Sequence, residues 1–196
     1  MNLILASTSP YRKQLLSRLQ MPFATIAPGT DESPLPGEPA NALVERLALA
    51  KALAVAKNCP DSLIIGSDQV AALNGQIFGK PGNHAAATAQ LSQCSGMEVV
   101  FYTAIALVGV DCGFSEVIVD PFTVKFRELT ELEISTYLQR EQPYDCAGSF
   151  KCEGLGIALF ESLSGSDPTS LEGLPLIALT TLLANAGYPV LTGSRA

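Results

Sequence analysis

The stretch MEVVFYTAIALVGVDCGFSEVIVDPFTVKFR, residues 97–127, decides the fold. Met97 to Val108 reads as one long strand, with Val99, Phe101, Ile105 and Leu107 sharing a face. Ser115 to Arg127 reads as a second strand, and Pro121 marks a bend or an edge position in it. Long strands that follow one another, with helices elsewhere, call for a mixed sheet covered by helices, not a regular parallel β/α alternation. Just before them, Asn83 caps an alanine-rich helix that Gly96 closes. Further back, Asn74-Gly75 between two apolar runs is the strongest hairpin signal in the chain, and Leu63-Ile64-Ile65 makes Ser62 to Gly66 a buried strand.

Working outward again, a helix is expected from Ala40 to Lys57, with Leu43, Leu47, Ala50 and Ala54 at helical spacing. A Pro-, Gly- and acid-rich loop, Ala27 to Pro39, precedes it. At the start, Leu3 to Ala6 is of strand length and feeds directly into a helix capped by Ser9-Pro10, with Leu15, Leu16 and Leu19 as its stripe. Past residue 127, Thr130 and Glu133 form a capping box for a helix running to about Glu141. Asp145 to Gly156 is a glycine-punctuated loop, Ile157 to Phe160 is expected to return to strand, and Leu174 to Ala186 forms a last helix closed by Gly187. With no internal repeat and no linker, residues 1–196 are expected to form one domain with room for two lobes.

The composition bounds the function. The chain has 196 residues, 47% hydrophobic, with 19 acidic and 12 basic side chains and a net charge of −7. Such a chain can bury roughly 70% of its unfolded surface, so it needs no disulfide staples. No long Lys/Arg run exists to neutralise a nucleic-acid backbone, so nucleic acid is not an expected partner. Val99 to Val108 is the longest apolar stretch, about half of the roughly 20 residues a membrane-spanning helix needs. The opening MNLILASTSPYRKQLL places its apolar run before its basic residues, the reverse of a secretory signal, and a cytoplasmic location is expected. Cys59, Cys94, Cys112, Cys146 and Cys152 include no Cys-x-x-Cys pair and read as reduced thiols. His84 is the only histidine, which removes most zinc and Ser-His-Asp arrangements.

Candidate chemistry gathers at five places. Arg12 and Lys13 occupy the first turn of a helix, where cations are unfavourable unless an anion binds; Ser7, Thr8 and Ser9 add hydroxyls there. Two solvated side chains on a surface turn remain an equal reading. Lys51 shares a helical stripe with Val44, Ala48 and Val55, which means a lysine aimed into a cleft or, more commonly, one snorkelling to the surface. Asp68 is expected at the end of a core strand, with Lys80 returned near it by the hairpin; such a pair is either a metal-and-phosphate site or a structural ion pair. Glu32 sits in the acidic loop. Lys151 and Glu153 lie in AGSFKCEGLG, where three glycines allow close backbone approach to a ligand or merely make turns.

Taken together, LASTSPYRKQLL at 5–16, Asp31-Glu32, RLALAKA at 46–52, IIGSDQV at 64–70, GKP at 79–81 and AGSFKCEGLG at 147–156 resemble the Maf family of nucleoside triphosphate pyrophosphatases. The resemblance implies an α/β fold: a mixed, mostly elongated sheet flanked by helices, Maf/ITPase-like, with a nucleotide cleft between two lobes. It also implies a homodimer and cleavage between the α- and β-phosphates with a divalent metal cation, Mg²⁺, Mn²⁺ or Co²⁺. By the same resemblance Asp68 is the general base, Glu32 and Asp68 hold the metal, and Ser7, Arg12, Lys51 and Lys80 contact phosphates. Lys13 and Lys151 are possible neighbours of those cations.

Three positions depart from the commonest pattern of that family: Tyr11 replaces Arg, Gln69 replaces Thr, and Glu153 replaces Gln. The family members with the common pattern act on dTTP and UTP. Losing Arg and gaining Glu makes the pocket two charges more negative, which suits a cationic base. Guanine methylated at N7 is one: it can stack on Tyr11 and donate from N1–H and its amino group to Glu153. The subfamily with this variant pattern is associated with 7-methyl-GTP. The expected reaction is therefore hydrolysis of 7-methyl-GTP to 7-methyl-GMP and pyrophosphate, a house-cleaning role. The alternatives are a dTTP/UTP- or ITP-type pyrophosphatase, or a non-catalytic nucleotide-binding regulator of cell division.

Overall fold

Ser9 starts the first helix as its spacing predicts: its hydroxyl accepts from the Arg12 amide at 3.4 Å, and Pro10 fills the first helical turn. The computed structural model describes residues 2–192. In chain order the elements are β1 (Asn2–Leu5), α1 (Pro10–Ser17), β2 (Ala24–Thr25), α2 (Ala40–Ala56), β3 (Ser62–Leu73), β4 (Gln76–Phe78), α3 (His84–Cys94), β5 (Glu98–Gly109) and β6 (Phe114–Phe126). They continue with α4 (Glu131–Glu141), β7 (Phe160–Gly165), α5 (Pro168–Leu171) and α6 (Leu176–Asn185). The strands form a mixed sheet in the order β2-β1-β3-β5-β6-β7, with β4 paired to β3. β1 runs parallel to β2 and β3, whereas β3–β4 and β6–β7 are antiparallel.

The local signals act as their chemistry requires. Asn74 and Gly75 both take positive φ, 51° and 83°, and pair Leu73 with Gln76 across a tight turn. Thr130 and Glu133 close a reciprocal capping box, and the amide and hydroxyl bonds from Thr130 hold the Glu133 carboxyl below its ordinary range. Asn83 caps α3 by accepting from the Ala86 amide at 2.9 Å. The last strand differs from expectation. Leu155–Leu159 forms 3-10 turns and the strand begins only at Phe160, because Gly156 packs against the Lys151 backbone, where a Cβ would stand 2.3 Å from its carbonyl oxygen. Two short pieces, β2 and α5, had no periodic signal.

Contacts divide the chain into two compact units, and the boundary cuts β3 after Asp68, β5 after Tyr102 and β6 after Asp120. The first unit holds the chain up to Asp68, Thr103–Asp120 and everything from Asp167 onward. Its core is aliphatic: Leu3 and Leu5 of β1, Leu15 and Leu16 of α1, Leu63 and Ile65 of β3, Ile105 and Leu107 of β5, and Leu179, Leu182 and Leu183 of α6. The second unit, Gln69–Tyr102 and Pro121–Ser166, adds a cluster of aromatic rings to its buried side chains. Phe150 sits edge-to-face with Phe101, Phe126 and Phe160 at centroid distances of 5.1, 5.8 and 4.8 Å. No helix among the described residues is long and apolar enough to cross a membrane. All five cysteines are free.

Candidate active site

Gly66 explains how charge enters the first unit. A Cβ there would stand 2.1 Å from the Ala48 carbonyl oxygen and 2.8 Å from the Ala52 amide, so only glycine lets α2 settle this closely onto β3. One turn along, Lys51 projects from the same buried stripe as Val44, Ala48 and Val55 and is itself only 4% exposed. Its ammonium lies 2.6 Å from Asp68 Oδ1 and 2.7 Å from Glu32 Oε1. The lysine does not snorkel. It gives up water for two carboxylates, which is the condition under which a buried charge is tolerated.

Asp68 is buried, but it is not at a strand end as expected: β3 continues for five more residues because Ala71–Leu73 pair with β4. The cation against it is Lys51, on the facing helix. Two carboxylates around one ammonium leave a net charge of −1, and the field of Asp68 and Glu32 also favours the charged form of Arg12. Burial acts more strongly on that guanidinium and pulls its pKa below the ordinary arginine value. The Arg12 side chain is aimed by its Nε, which donates to the Gly173 carbonyl at 2.9 Å. The same carbonyl accepts from the buried Ser67 hydroxyl at 3.1 Å. Ser7, also buried, turns its hydroxyl inward to accept from the Ser9 amide at 3.1 Å. Tyr11 is half-buried in the first turn of α1, and Lys13 beside it is exposed.

Sequence reasoning passed over two supports of this cluster. Arg46 grips the acidic loop: Nε and Nη2 bind the two Glu38 oxygens at 2.6 and 2.7 Å, and Nη2 also reaches the Ser33 carbonyl at 3.1 Å. That bidentate fork fixes the segment carrying Glu32 and holds the Glu38 carboxyl at about 2. The arginine had been visible in RLALAKA, but no pattern links it to a glutamate eight residues earlier. The second support is the segment 166–175. Asp167 accepts from the Thr169 and Ile177 amides at 2.8 and 2.6 Å, Ser170 donates to the buried Asp120, and Thr103 donates to the Ser170 carbonyl at 2.9 Å. This network sets the position of Gly173. In the sequence this segment is marked by Asp167-Pro168, a cap residue and a proline that suit a helix start.

The remaining predicted residues belong to the second unit. Gln69 is half-buried on β3, Lys80 is exposed just after β4, and Glu153 is exposed between Cys152 and Gly154. The Cys152 thiol points at Glu153 Oε2, 3.6 Å away. Lys151 is directed elsewhere, its ammonium donating to the Glu141 carbonyl at 3.3 Å and its amide to the Tyr137 hydroxyl at 3.0 Å. The glycines of this loop meet protein. A Cβ at Gly148 would stand 2.7 Å from Phe101, and one at Gly154 2.9 Å from the Glu141 carboxylate.

Residues 2–186 match the family model described as Maf-like protein. The chain belongs to the Maf-like family. This Maf-like chain is 57% identical over 96% of its length to a 7-methyl-GTP pyrophosphatase of Nitrosococcus oceani, covering 95% of that protein. It is likewise 57% identical, over 94% of its length and 84% of the relative's, to a 7-methyl-GTP pyrophosphatase of Polaromonas sp.. Among solved structures, a HAM1 protein from Coxiella burnetii aligns with a TM-score of 0.54 over 94% of this chain and 99% of that one, at 15% identity, which is a likeness of fold alone.

The donor set of the Maf-like chain suits one kind of metal. Among the described residues no cluster of three or more His, Cys, Asp or Glu side chains forms a cage. Two carboxylates do converge on one cation, the Lys51 ammonium. Mg²⁺-type ions that act on nucleotides are held in this sparse way, by one or two carboxylates with the phosphates completing the shell.

Proposed function

We propose that this Maf-like protein hydrolyses 7-methyl-GTP to 7-methyl-GMP and pyrophosphate. The observation that carries the hydrolytic reading is the buried Lys51–Asp68 pair, with the exposed Glu32 on the same ammonium: a carboxylate desolvated on a core strand and oriented by a lysine. In this reading Asp68 accepts the proton of the attacking water, while Ser7, Arg12, Lys51 and Lys80 take phosphate oxygens. Cations held in place before reaction stabilise the charge that develops on the transferring phosphoryl group. Asp68 and Glu32 would hold a divalent cation, Mg²⁺, Mn²⁺ or Co²⁺, which supplies charge neutralisation when bound. The substrate assignment is supported by the names of the relatives and by Tyr11, Gln69 and Glu153. A phenol ring and a carboxylate suit a base that carries positive charge, by stacking and by accepting two N–H bonds.

The proposal extends to a homodimer in the cytoplasm, with no nucleic-acid partner. The deciding experiment measures pyrophosphate release from 7-methyl-GTP, GTP, dTTP, UTP and ITP with Mg²⁺, Mn²⁺ and Co²⁺. Fastest release from 7-methyl-GTP is expected. A flat response across the nucleotides removes the specificity, and nucleotide binding without turnover under every metal favours a regulatory binding protein.

A further inference from the structure

One side chain in the second unit touches both of the loops that carry its proposed substrate groups. Gln90, on α3, donates from Nε2 to the Gly79 carbonyl at 3.3 Å, the residue immediately before Lys80. Its Oε1 accepts from the Ser149 hydroxyl at 2.5 Å, on the loop that leads to Glu153. Ser149 is fully buried and holds a positive φ of 63°, directly after Gly148 at 72°. A left-handed backbone is unfavourable for serine and persists only where its surroundings fix it. Here Phe150 is locked among Phe101, Phe126 and Phe160, and the turn so fixed presents the Ser149 hydroxyl to Gln90. A backbone bond from the Gly82 amide to the Tyr144 carbonyl, 2.9 Å, joins the same two loops a few residues away.

We propose that Gln90 is a positioning residue that sets Lys80 and Glu153 in a common frame, so that phosphate contact and base reading are adjusted through one amide group. The inference rests on the reading of Lys80 as a phosphate residue and Glu153 as a base residue. The side-chain type matters. A primary amide donates and accepts from one planar group, a carboxylate can only accept, and an alkyl chain does neither. Asn has the same chemistry but is one methylene short of the spacing.

These differences give three variants with different expected signatures. In Gln90→Leu both arms are lost. Hydrogen exchange should rise in segments 79–82 and 145–156 together, kcat/KM should fall for both 7-methyl-GTP and GTP, and their ratio should fall by about 10-fold. In Gln90→Glu the bond from Ser149 survives but the Gly79 carbonyl faces an acceptor. Both nucleotides should lose kcat/KM equally, with the ratio kept. In Ser149→Ala the opposite arm is cut, so the ratio falls and exchange rises only in 145–156. Melting temperatures within a few degrees of the parent confirm that each variant is folded. Gln90→Leu with unchanged exchange in either loop overturns the proposal, as does an equal loss for both nucleotides in Ser149→Ala. A Glu153→Gln variant that keeps the parent ratio removes the base reading instead, and the exchange measurements still decide the role of Gln90.

Discussion

Lys51 and Asp68, in the first unit, have exchanged water for each other at 2.6 Å, whereas Lys80 and Glu153, in the second, keep their water on exposed turns. The supports are reversed. The first pair is held by helix α2 pressed onto strand β3 at Gly66. The second pair rides on loops fastened from beneath by neutral groups, Gln90, Ser149 and the ring cluster of Phe150. Groups that must meet developing charge gain from being fixed and desolvated before the reaction. Of the exposed pair, Glu153 is the proposed base reader and must admit and release its ligand, which a buried ion pair cannot do; Lys80, a proposed phosphate contact, differs from Lys51 in its exposure.

The largest expected effect tests the fixed side. Asp68→Asn keeps the shape of the side chain and an oxygen for Lys51 while removing the proposed proton acceptor. Turnover should fall by about 10²–10⁴-fold, the usual share of a general base, with the protein folded and nucleotide binding retained in equilibrium titration. Near-parental turnover would mean that the buried group is structural. Lys51→Met comes next and reads on stability: it leaves Asp68 buried without its cation, and removing one member of a buried pair costs about 3–5 kcal/mol. The contact to Glu32 accounts for little of this, since that side chain is 56% exposed and such arms contribute about 0–1 kcal/mol. Urea denaturation of Lys51→Met against Glu32→Gln measures the contrast, and equal losses would erase the distinction between the two arms.

How much of this was readable in the sequence follows from range. Caps and turns are local, so Ser9-Pro10, Asn74-Gly75, Asn83 and the Thr130/Glu133 box are legible in the sequence and form as their residue types require. The long strands were legible for the same reason. Lys51 was placed on the correct stripe, but whether it snorkels depends on what faces the helix, and Gly66 is fifteen positions away in the chain. The extension of β3 past Asp68 depends on pairing with β4, so the carboxylate looked terminal. Arg46–Glu38 joins a helix to the loop eight residues before it, and the Asp120–Ser170–Gly173 support is long-range; no periodicity reports either contact. The roles of Asp68, Glu32 and Glu153 came from family resemblance, because an acidic loop residue read by itself is a solvated one.

On the looser side of the comparison, Glu153→Gln should reduce the preference for 7-methyl-GTP over GTP by about 1–3 kcal/mol, with a smaller loss for GTP, whose uncharged guanine offers the same N1–H and amino donors. Competitive kcat/KM measurements read it directly. A loss shared equally by both nucleotides would show that Glu153 does not read the positive charge of the methylated ring. A loss far above this range would place Glu153 among the fixed groups, and the contrast between the units would fail.

The smallest effect concerns the acidic loop, where the first unit uses an exposed segment as the second does but ties it with charge. Arg46 depresses the Glu38 carboxyl from 4.5 to about 2, chiefly through their hydrogen bonds, and Glu38 in turn raises Arg46. A depressed acid stabilises the folded state fully above its unfolded pKa, and that contribution is lost as pH falls through the folded value. The clamp should therefore hold the Glu32 loop unchanged down to about pH 4.5 and release it between there and pH 2. Hydrogen exchange of residues 28–39, followed by acid titration, should show a step in that window. Glu38→Gln should bring the loop to its released rate already at neutral pH. The Gly79 and Ser149 loops, fastened by the neutral Gln90, should show no step tied to this clamp. A parallel acid step in both regions would mean that global unfolding had been measured, and equal protection in Glu38→Gln at neutral pH would show that Ser33 and the loop backbone suffice without the ion pair.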